Sequence, residues 1–250
     1  MMLQERNFKH LLLVALFVGA AGSMAAQGCF SIGETTKVQF SQANWTRAET
    51  QDLFQWTDIQ SRLTSDERVL SREEWAYLFM SRTDAYRMYA RATVDGKKGL
   101  VLLPDKETWV QPEGLHFEYN DGDLGYATNK YSTDDWALME AAGAVFLPAA
   151  GYSMDGVAVE QASEYGTYWT SSPLNEDESY YIQFDLGYLF YENMYNVNTV
   201  YRSVRTVKAW EPQGIEEANA KAKAVKFFRD GQLFIERDGK LFNLTGTQVR

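Results

Sequence analysis

The stretch from Ala144 to Lys208 constrains the fold more than any other part of the chain. Turn residues separate three apolar or alternating runs within it, which is the pattern of consecutive β-strands. The stretch closes on the segment YRSVR, residues 201–205, and contains neither histidine nor cysteine. Aromatic side chains crowd it: Tyr152, Tyr165, Tyr168, Trp169, Tyr180, Tyr181, Phe184, Tyr188, Phe190, Tyr191, Tyr195 and Tyr201. This content predicts a sheet that carries a recognition surface, and it offers few groups for catalysis.

Charge and length narrow the class of protein. The chain has 250 residues, of which 45% are hydrophobic, and its net charge is −10. That length and composition suit one large domain with appendages. A nucleic-acid partner would require a basic stripe, and the lysines and arginines do not cluster in that way. We therefore expect no nucleic-acid ligand.

The N-terminus has the pattern of a secretory signal peptide, predicted for residues 1–26. Arg6, Lys9 and His10 precede the apolar run Leu11–Val18, and small residues follow up to Ala26. The apolar run is shorter than the roughly 20 residues that a membrane-spanning helix needs. We expect an exported protein without a transmembrane segment, located outside the cell, on its surface or in the periplasm, with a mature chain that begins at Gln27.

Cys29 is the only cysteine in the sequence, and it follows the predicted cleavage point. A single cysteine excludes an intramolecular disulfide. Two alternatives stay open for it. Cys29 is either an unmodified residue near the start of the mature chain or, if the leader is cut directly before it, a lipidation site.

Two helices and a hairpin are predicted before the aromatic stretch. The first helix spans Leu70–Arg82, where Ser71 and Glu74 have the spacing of a capping box. The second spans Ser132–Gly143, with Thr133 as its N-cap. Between them Asp95-Gly96 predicts a tight turn joining strands 89–94 and 98–103. Residues 104–131 are predicted to be a long loop, and residues 30–40 the first strand.

Three tryptophans are predicted to form the core. Trp75 lies on the first helix, Trp136 on the second and Trp169 on a central strand. Large aromatic side chains at such positions bury extensive apolar surface. We expect all three to be enclosed between the helices and the sheet.

The composition changes after Glu211. Residues 211–226 are predicted to be a linker, and residues 227–250 a β-meander with turns at Asp230-Gly231 and Asp238-Gly239. So small a meander needs other structure for stability. We expect it to serve either as a docking hairpin or as a sorting signal.

Several segments, taken in order, resemble one known family. They are LSREEWAYLF, ARATVDGKKGLVLLPD, DWALMEAAGAVFLPAAGY, GTYWTSS, YYIQF and YRSVRTV. Together they resemble the Fibrobacter-type major paralogous domain, found in secreted and surface proteins of Bacteroides and its relatives. The resemblance covers roughly residues 30–208, and the final 13 residues are similar to a type IX sorting signal.

This resemblance implies an α+β, C-type lectin-like fold for residues 27–210. Such a fold places two helices against a twisted, mostly antiparallel sheet with a long loop region. It implies a non-enzymatic binding module, or a structural component of a surface assembly. Formylglycine-generating enzymes are more distant relatives that use a pair of cysteines, and the single Cys29 does not supply one.

Metal and catalytic residues are sparse. Asp121 and Asp123 around Gly122 form the most calcium-like loop, although a solvated turn would have the same composition. His116 is the only histidine beyond the predicted leader, and its sequence neighbours suggest no partner for acid–base chemistry. We therefore predict no catalytic residues and no required cofactor, with calcium as an open alternative.

The candidate ligand-binding residues lie late in the aromatic stretch. Tyrosine and asparagine mix there without strand alternation, and such side chains combine contact area with adaptable hydrogen bonding. We predict a glycan- or protein-binding surface, exposed beside Glu176, Asp177 and Glu178 and formed by Tyr188, Tyr191, Asn193, Tyr195, Asn196 and Asn198. The alternative is that these tyrosines pack beneath the C-terminal meander.

Overall fold

The computed structural model describes residues 28–46, 52–63, 66–119, 125–192, 194–211, 225–229, 232–237, 240–243 and 248–249. Helices and strands are mixed in these ranges, and most strand pairs are antiparallel, so the chain is an α+β protein. None of the helices in these ranges has the length and apolar character needed to cross a membrane. The predicted signal peptide and the predicted calcium ligands Asp121 and Asp123 lie outside the described residues.

Short helices alternate with many short strands. The helices are α1 (Trp56–Arg62), α2 (Arg72–Ala76) and α3 (Thr133–Ala141), with a π-helical turn at Tyr77–Ser81 and a 3-10 turn at Ala85–Arg87. The strands are β1 (Phe30–Ser31), β2 (Lys37–Phe40), β3 (Arg68–Val69), β4 (Tyr89–Val94), β5 (Lys97–Leu102), β6 (Asn129–Tyr131), β7 (Val145–Pro148), β8 (Gly166–Pro173), β9 (Glu178–Phe184), β10 (Leu189–Phe190), β11 (Tyr195–Val197), β12 (Thr206–Ala209), β13 (Val225–Arg229), β14 (Gln232–Arg237), β15 (Lys240–Asn243) and β16 (Gln248–Val249).

The described strands form four small sheets rather than one large sheet. Their orders are β1-β2-β12-β3, β6-β4-β5-β7, β13-β14-β15-β16, and a sheet in which β9 pairs with β8, β10 and β11. Strand β4 runs parallel to β6, and all other strand pairs are antiparallel. The pairing of β2 with β12 joins the two ends of the main domain. The last sheet is the predicted meander, with its strands in sequence order.

The first predicted helix and the hairpin are confirmed. Ser71 Oγ accepts a hydrogen bond from Glu74 N at 3.2 Å, and Glu74 Oε2 accepts one from Ser71 N at 2.8 Å, so the capping box forms as expected. The helix continues beyond α2 as the π-helical turn and ends at Arg82. Strands β4 and β5 pair around Asp95 and Gly96, both of which have positive φ, as a tight hairpin turn requires.

Three local predictions are wrong. Residues 30–40 form two strands, because the chain turns back between Ile32 and Thr36. The N-cap of α3 is Ser132, not Thr133, because Asp135 stands three residues after Ser132 and completes a capping box with it. Residues 129–131 leave the predicted loop to form β6.

A third helix, α1, also departs from the prediction of two. Its N-cap, Gln55, makes no side-chain capping bond, so the sequence carries no start signal for it. Contacts with distant segments hold it in place instead. Trp56 donates from Nε1 to the Thr170 carbonyl at 2.9 Å, and Ile59 is buried.

The core prediction is confirmed for two of the three tryptophans. Trp75 and Trp169 are fully buried, and Trp169 donates from Nε1 to the Phe54 carbonyl at 2.9 Å. Trp136 is only half-buried and packs on Phe146 with the two rings tilted by 59° and their centroids 5.6 Å apart. Helix α3 covers the sheet with a narrow apolar face, so its tryptophan lies at the margin of the core.

A buried carboxylate fixes the first strand to the rest of the domain. Asp105 accepts hydrogen bonds from Ser31 Oγ at 2.6 Å and from Ser31 N at 2.9 Å, and it forms an ion pair with Lys37 at 2.9 Å. The guanidinium of Arg82 lies 3.6 Å away. Burial alone would raise the pKa of Asp105, but the hydrogen bonds from Ser31 and Lys37 outweigh it and hold that pKa below its usual value.

Cys29 packs beside this carboxylate. It is fully buried, and its Sγ lies 3.7 Å from Asp105 Oδ2 and 3.7 Å from Thr108 Oγ1. Burial raises the pKa of the thiol. The structure thus gives an unmodified Cys29 a packing role. A lipid-modified Cys29 would have to leave this position, since its sulfur is buried against Asp105 and Thr108.

The tryptophans provide the first test of this arrangement. Replacing Trp169 with Ala should lower the free energy of unfolding by about 3–5 kcal/mol, because it leaves a cavity and removes one of two hydrogen bonds to the Phe54 carbonyl. The matched Trp136→Ala change should cost clearly less, since that side chain is already half exposed. Urea denaturation of the three proteins measures the difference. Equal losses for the two variants would contradict the placement of α3 at the margin of the core.

Asp105 should make the protein acid-sensitive. Because its pKa is lower in the folded than in the unfolded chain, the stabilisation is present above about pH 4 and is lost as the pH falls through the folded pKa. Asp105→Asn should therefore be less stable at neutral pH and should lose less stability on acidification. Urea midpoints measured from pH 7 to pH 3 check this. Parallel pH profiles for the two proteins would exclude Asp105 as a source of the acid sensitivity.

Candidate functional site

The predicted ligand-binding residues do not form one exposed surface. Tyr188 is 65% exposed and Tyr195 is 52% exposed, as expected. Asn196 is half-buried. Asn193 lies outside the described residues.

Asn198 and Tyr191 pack against other parts of the domain, so the prediction that both are exposed is wrong. Asn198 is 7% exposed, because its Nδ2 donates to the Glu176 carbonyl at 3.1 Å and its own carbonyl accepts from Trp56 N at 3.1 Å. It therefore links the β9 hairpin to α1. Tyr191 packs against the main core, with its ring 5.8 Å from that of Phe79.

The two exposed tyrosines lie at different ends of one strand. Tyr195 pairs with Tyr180 near the start of β9, next to the acidic turn 176–178, as predicted. Tyr188 follows the end of β9 and stacks on Phe190, with 5.6 Å between ring centroids. At about 3.3 Å per residue, the length of β9 separates them by more than 10 Å. A single small ligand would not contact both.

Tyr188 instead belongs to a groove, which we call the tyrosine groove. Its volume is about 410 Å³, and it is lined by Lys98, Tyr126, Ser163, Glu164, Tyr165, Asp185, Leu186 and Tyr188. The turn that carries Tyr188 is fixed by Asp185, whose Oδ1 accepts hydrogen bonds from the backbone N–H groups of Gly187 and Tyr188, both at 2.8 Å. The groove therefore combines aromatic faces with a lysine and two carboxylates.

Tyr126 forms the buried part of this groove. It is 6% exposed, and the Lys98 ammonium lies 5.6 Å from the centre of its ring. Burial raises the pKa of Tyr126 to about 12, so the phenol stays protonated. Among the described residues its hydroxyl has no hydrogen-bond partner. A buried hydroxyl without a partner is costly, and a ligand oxygen would satisfy it.

A second, smaller cleft adjoins the groove, and we call it the arginine cleft. Its volume is about 250 Å³, and it is lined by Tyr152, Gln161, Tyr165, Tyr181, Gln183 and Arg202. Tyr165 lines both the groove and the cleft, so the two are continuous across one ring. Half-buried Tyr152, Tyr165 and Gln183, together with exposed Gln161, leave the cleft open to solvent.

Arg202 forms the buried base of the arginine cleft. It is 3% exposed, and its guanidinium lies 3.6 Å from the centre of the Tyr181 ring and 5.2 Å from that of Trp169. An antiparallel bridge between its backbone and that of Phe54 fixes the residue. Burial lowers the pKa of Arg202 to about 10, with Tyr181 and Tyr152 opposing the shift, so the group remains a cation at neutral pH.

The loop over both clefts is held in an unusual conformation. Gln161 and Ser163 have φ values of 56° and 65°, in the left-handed region that residues other than glycine seldom occupy. Hydrogen bonds from Ser163 N to the Ala149 carbonyl and from Tyr165 N to the Gln161 carbonyl hold this conformation. Such local strain is concentrated at binding sites, because it presets the positions of side chains.

No metal centre accompanies these clefts in the part of the chain that the structure describes, since no group of three or more His, Cys, Asp or Glu converges there. The acidic turn 176–178 is organised by Asn175, whose Oδ1 accepts from the backbone N–H groups of Asp177 and Glu178, both at 2.9 Å. His116 is exposed and contacts Glu118 at 3.3 Å.

The residues of the two clefts were not predicted from the sequence, apart from Tyr188. Tyr152, Tyr165 and Tyr181 were recognised only as members of an aromatic stretch. One signal was present: Arg202 and Arg205 interrupt an apolar strand run, and arginine is seldom buried without a partner.

Comparison of the chain with family models, with curated proteins and with solved structures finds no match.

Proposed function

We propose that this protein is an exported, non-enzymatic binding module that recognises a glycan in the tyrosine groove. The observation that carries the proposal is the shared lining of that groove: the rings of Tyr126, Tyr165 and Tyr188 border one open cavity that also contains Lys98 and Asp185. Sugar rings pack their C–H faces on aromatic side chains, while their hydroxyls bond to charged and amide groups.

Burial supports the same proposal. Tyr188 is 65% exposed, although burial of a tyrosine ring against another surface is favourable. The hydroxyl of buried Tyr126 has no hydrogen-bond partner among the described residues. A ligand that supplies both an apolar face and hydroxyl oxygens would satisfy both residues. A glycan has both, whereas an extended peptide would also require an exposed strand edge for its backbone.

For residues 27–210 we further propose a C-type lectin-like fold. The capped helix α2, the β4–β5 hairpin, helix α3 and the final strand β12 follow one another in the order that the sequence motifs imply. The pairing of the first hairpin with β12 brings the ends of the domain together. The proposals of export and of a C-terminal sorting or docking tail rest on the sequence patterns of the two termini.

A second candidate function is that of a structural component in a surface assembly. The loop between Gly151 and Glu160 exposes three apolar side chains: Met154 at 56%, Val157 at 86% and Val159 at 54%. Apolar groups clustered on a surface loop favour a protein contact. This surface is separate from the lining of the tyrosine groove, so the two functions predict different mutational sensitivities.

The groove is tested by a matched pair of tyrosine variants. In a glycan array with the secreted protein, with and without Ca²⁺, Tyr188→Ala should reduce binding by about tenfold or more, the equivalent of about 1.4 kcal/mol. Tyr195→Ala removes a similarly exposed ring outside the groove and should leave binding unchanged. Both variants should keep the urea midpoint of the parent, since surface substitutions usually cost less than about 0.5 kcal/mol.

The reverse result would overturn the groove assignment. If Tyr195→Ala abolished binding and Tyr188→Ala did not, the ligand would lie at the acidic end of β9. If no glycan bound but Val157→Asp disrupted assembly on the cell surface, the structural function would replace the binding function.

A further inference from the structure

Arg202 differs from Arg82 and Arg205, two of the three other buried arginines among the described residues; the third, Arg91, donates from Nε to the Asp185 carbonyl. Arg82 donates to the carbonyls of Leu78 and Leu103 at 2.9 and 3.0 Å and lies 3.6 Å from Asp105. Arg205 donates to the carbonyls of Ser41 and Phe146. Both guanidinium groups thus donate to backbone carbonyls within the fold, although the Nε of Arg205 is buried without a partner.

No opposite charge compensates Arg202 among the described residues. Its guanidinium forms no ion pair there, its side-chain hydrogen bonding involves only the neutral Tyr181, and its Nε is buried without a partner. Transferring a cation out of water is costly unless an opposite charge or several acceptors replace the water. The aromatic residues around Arg202 recover part of that cost through cation–π contact and the hydrogen bond with Tyr181, but they carry no opposite charge.

The stacking on Tyr181 determines which part of the guanidinium is available. Tyr181 lies against the flat face of the group at 3.6 Å, and the N–H donors of a guanidinium lie in its plane and point outward from its edge. Arg202 lines the open cleft together with Gln161 and Gln183. A planar carboxylate is the anion that matches two parallel N–H donors.

We propose that the arginine cleft binds the carboxylate of an acidic sugar residue, such as a uronic acid, within the glycan that occupies the tyrosine groove. The cleft is small enough to admit one ring, and Tyr165 continues from it into the groove. The amides of Gln161 and Gln183 are placed to bond ring hydroxyls. This inference rests on the proposed glycan function and specifies, in addition, that the glycan carries a negative charge.

The surrounding charges favour a single negative charge on the ligand. Glu164 and Asp185 line the adjoining groove, and burial together with Glu160 raises the pKa of Tyr152 at the edge of the cleft. These carboxylates would repel a phosphate or a second acidic group placed in the groove. A glycan in which acidic and neutral sugars alternate would place an acidic sugar in the arginine cleft and a neutral sugar in the tyrosine groove.

The test uses uronic-acid trisaccharides and their methyl esters as probes, because the ester removes the charge and keeps the ring. In calorimetric titrations with the secreted protein, the acids should bind at least about tenfold more tightly than the esters. Arg202→Gln should abolish this preference, and Arg202→Lys should restore part of it, since lysine keeps the charge but not the paired donors. Arg72→Gln is the matched control: Arg72 also stacks on a tyrosine, Tyr180, at 4.5 Å, but lies outside the cleft.

A second variant keeps the test decisive if Arg202→Gln does not fold. Gln183→Leu alters the half-buried rim of the cleft without changing its charge. It should weaken the binding of acids and esters alike while leaving the urea midpoint close to that of the parent.

Equal affinity for acids and esters in the parent protein would overturn the carboxylate inference and leave the glycan function standing. The absence of binding to either would contradict both. A preference for a peptide with a free C-terminal carboxylate over its amide, lost in Arg202→Gln, would assign the cleft to a protein ligand instead.

Discussion

The segment from Val200 to Val207 is the constraint on which the rest of the domain depends. It crosses the centre of the fold, where polar groups have no access to water, so each donor it carries needs a partner inside the protein. Arg205 donates through two of its nitrogens to the carbonyls of Ser41 and Phe146, which belong to two segments distant in sequence, and only its Nε is left without a partner. The backbone carbonyl of Ser203 accepts from Trp169 N at 3.1 Å. One short segment thereby positions the first hairpin, β7 and β8 at once.

Three residues before Arg205, the same segment places a second arginine that the fold does not compensate. Arg202 is held by its backbone bridge to Phe54 and by the rings around it, so its position is fixed although its Nε is buried without a partner. A rigid, desolvated donor group without a partner is the arrangement that favours a ligand over water. Within the five-residue segment YRSVR, Arg205 therefore contacts the carbonyls of two distant segments, whereas Arg202 contacts aromatic rings at the base of an open cleft.

Local signals in the sequence predicted local structure well. The capping box at Ser71 and Glu74, the hairpin turn at Asp95 and the buried Trp75 all follow from neighbouring residues, and the structure confirms them. Helix α1 and the burial of Asn198 could not be predicted in this way. Each is fixed by contacts more than 100 residues away in sequence, Trp56 with Thr170 and with Asn198, and no single-sequence pattern encodes those distances.

The same reasoning explains why the candidate site was only partly predicted. Tyrosine-rich composition located the aromatic surface near Tyr188, but strand pairing distributed those tyrosines between the core, the acidic end of β9 and the groove. Lys98 and Tyr126 complete the groove from a hairpin and a loop that precede the aromatic stretch. Tyr165 then connects the groove to the arginine cleft, because β8 begins immediately after it and fixes its backbone against β9. Any ligand that occupied both cavities would therefore have to pass this one ring.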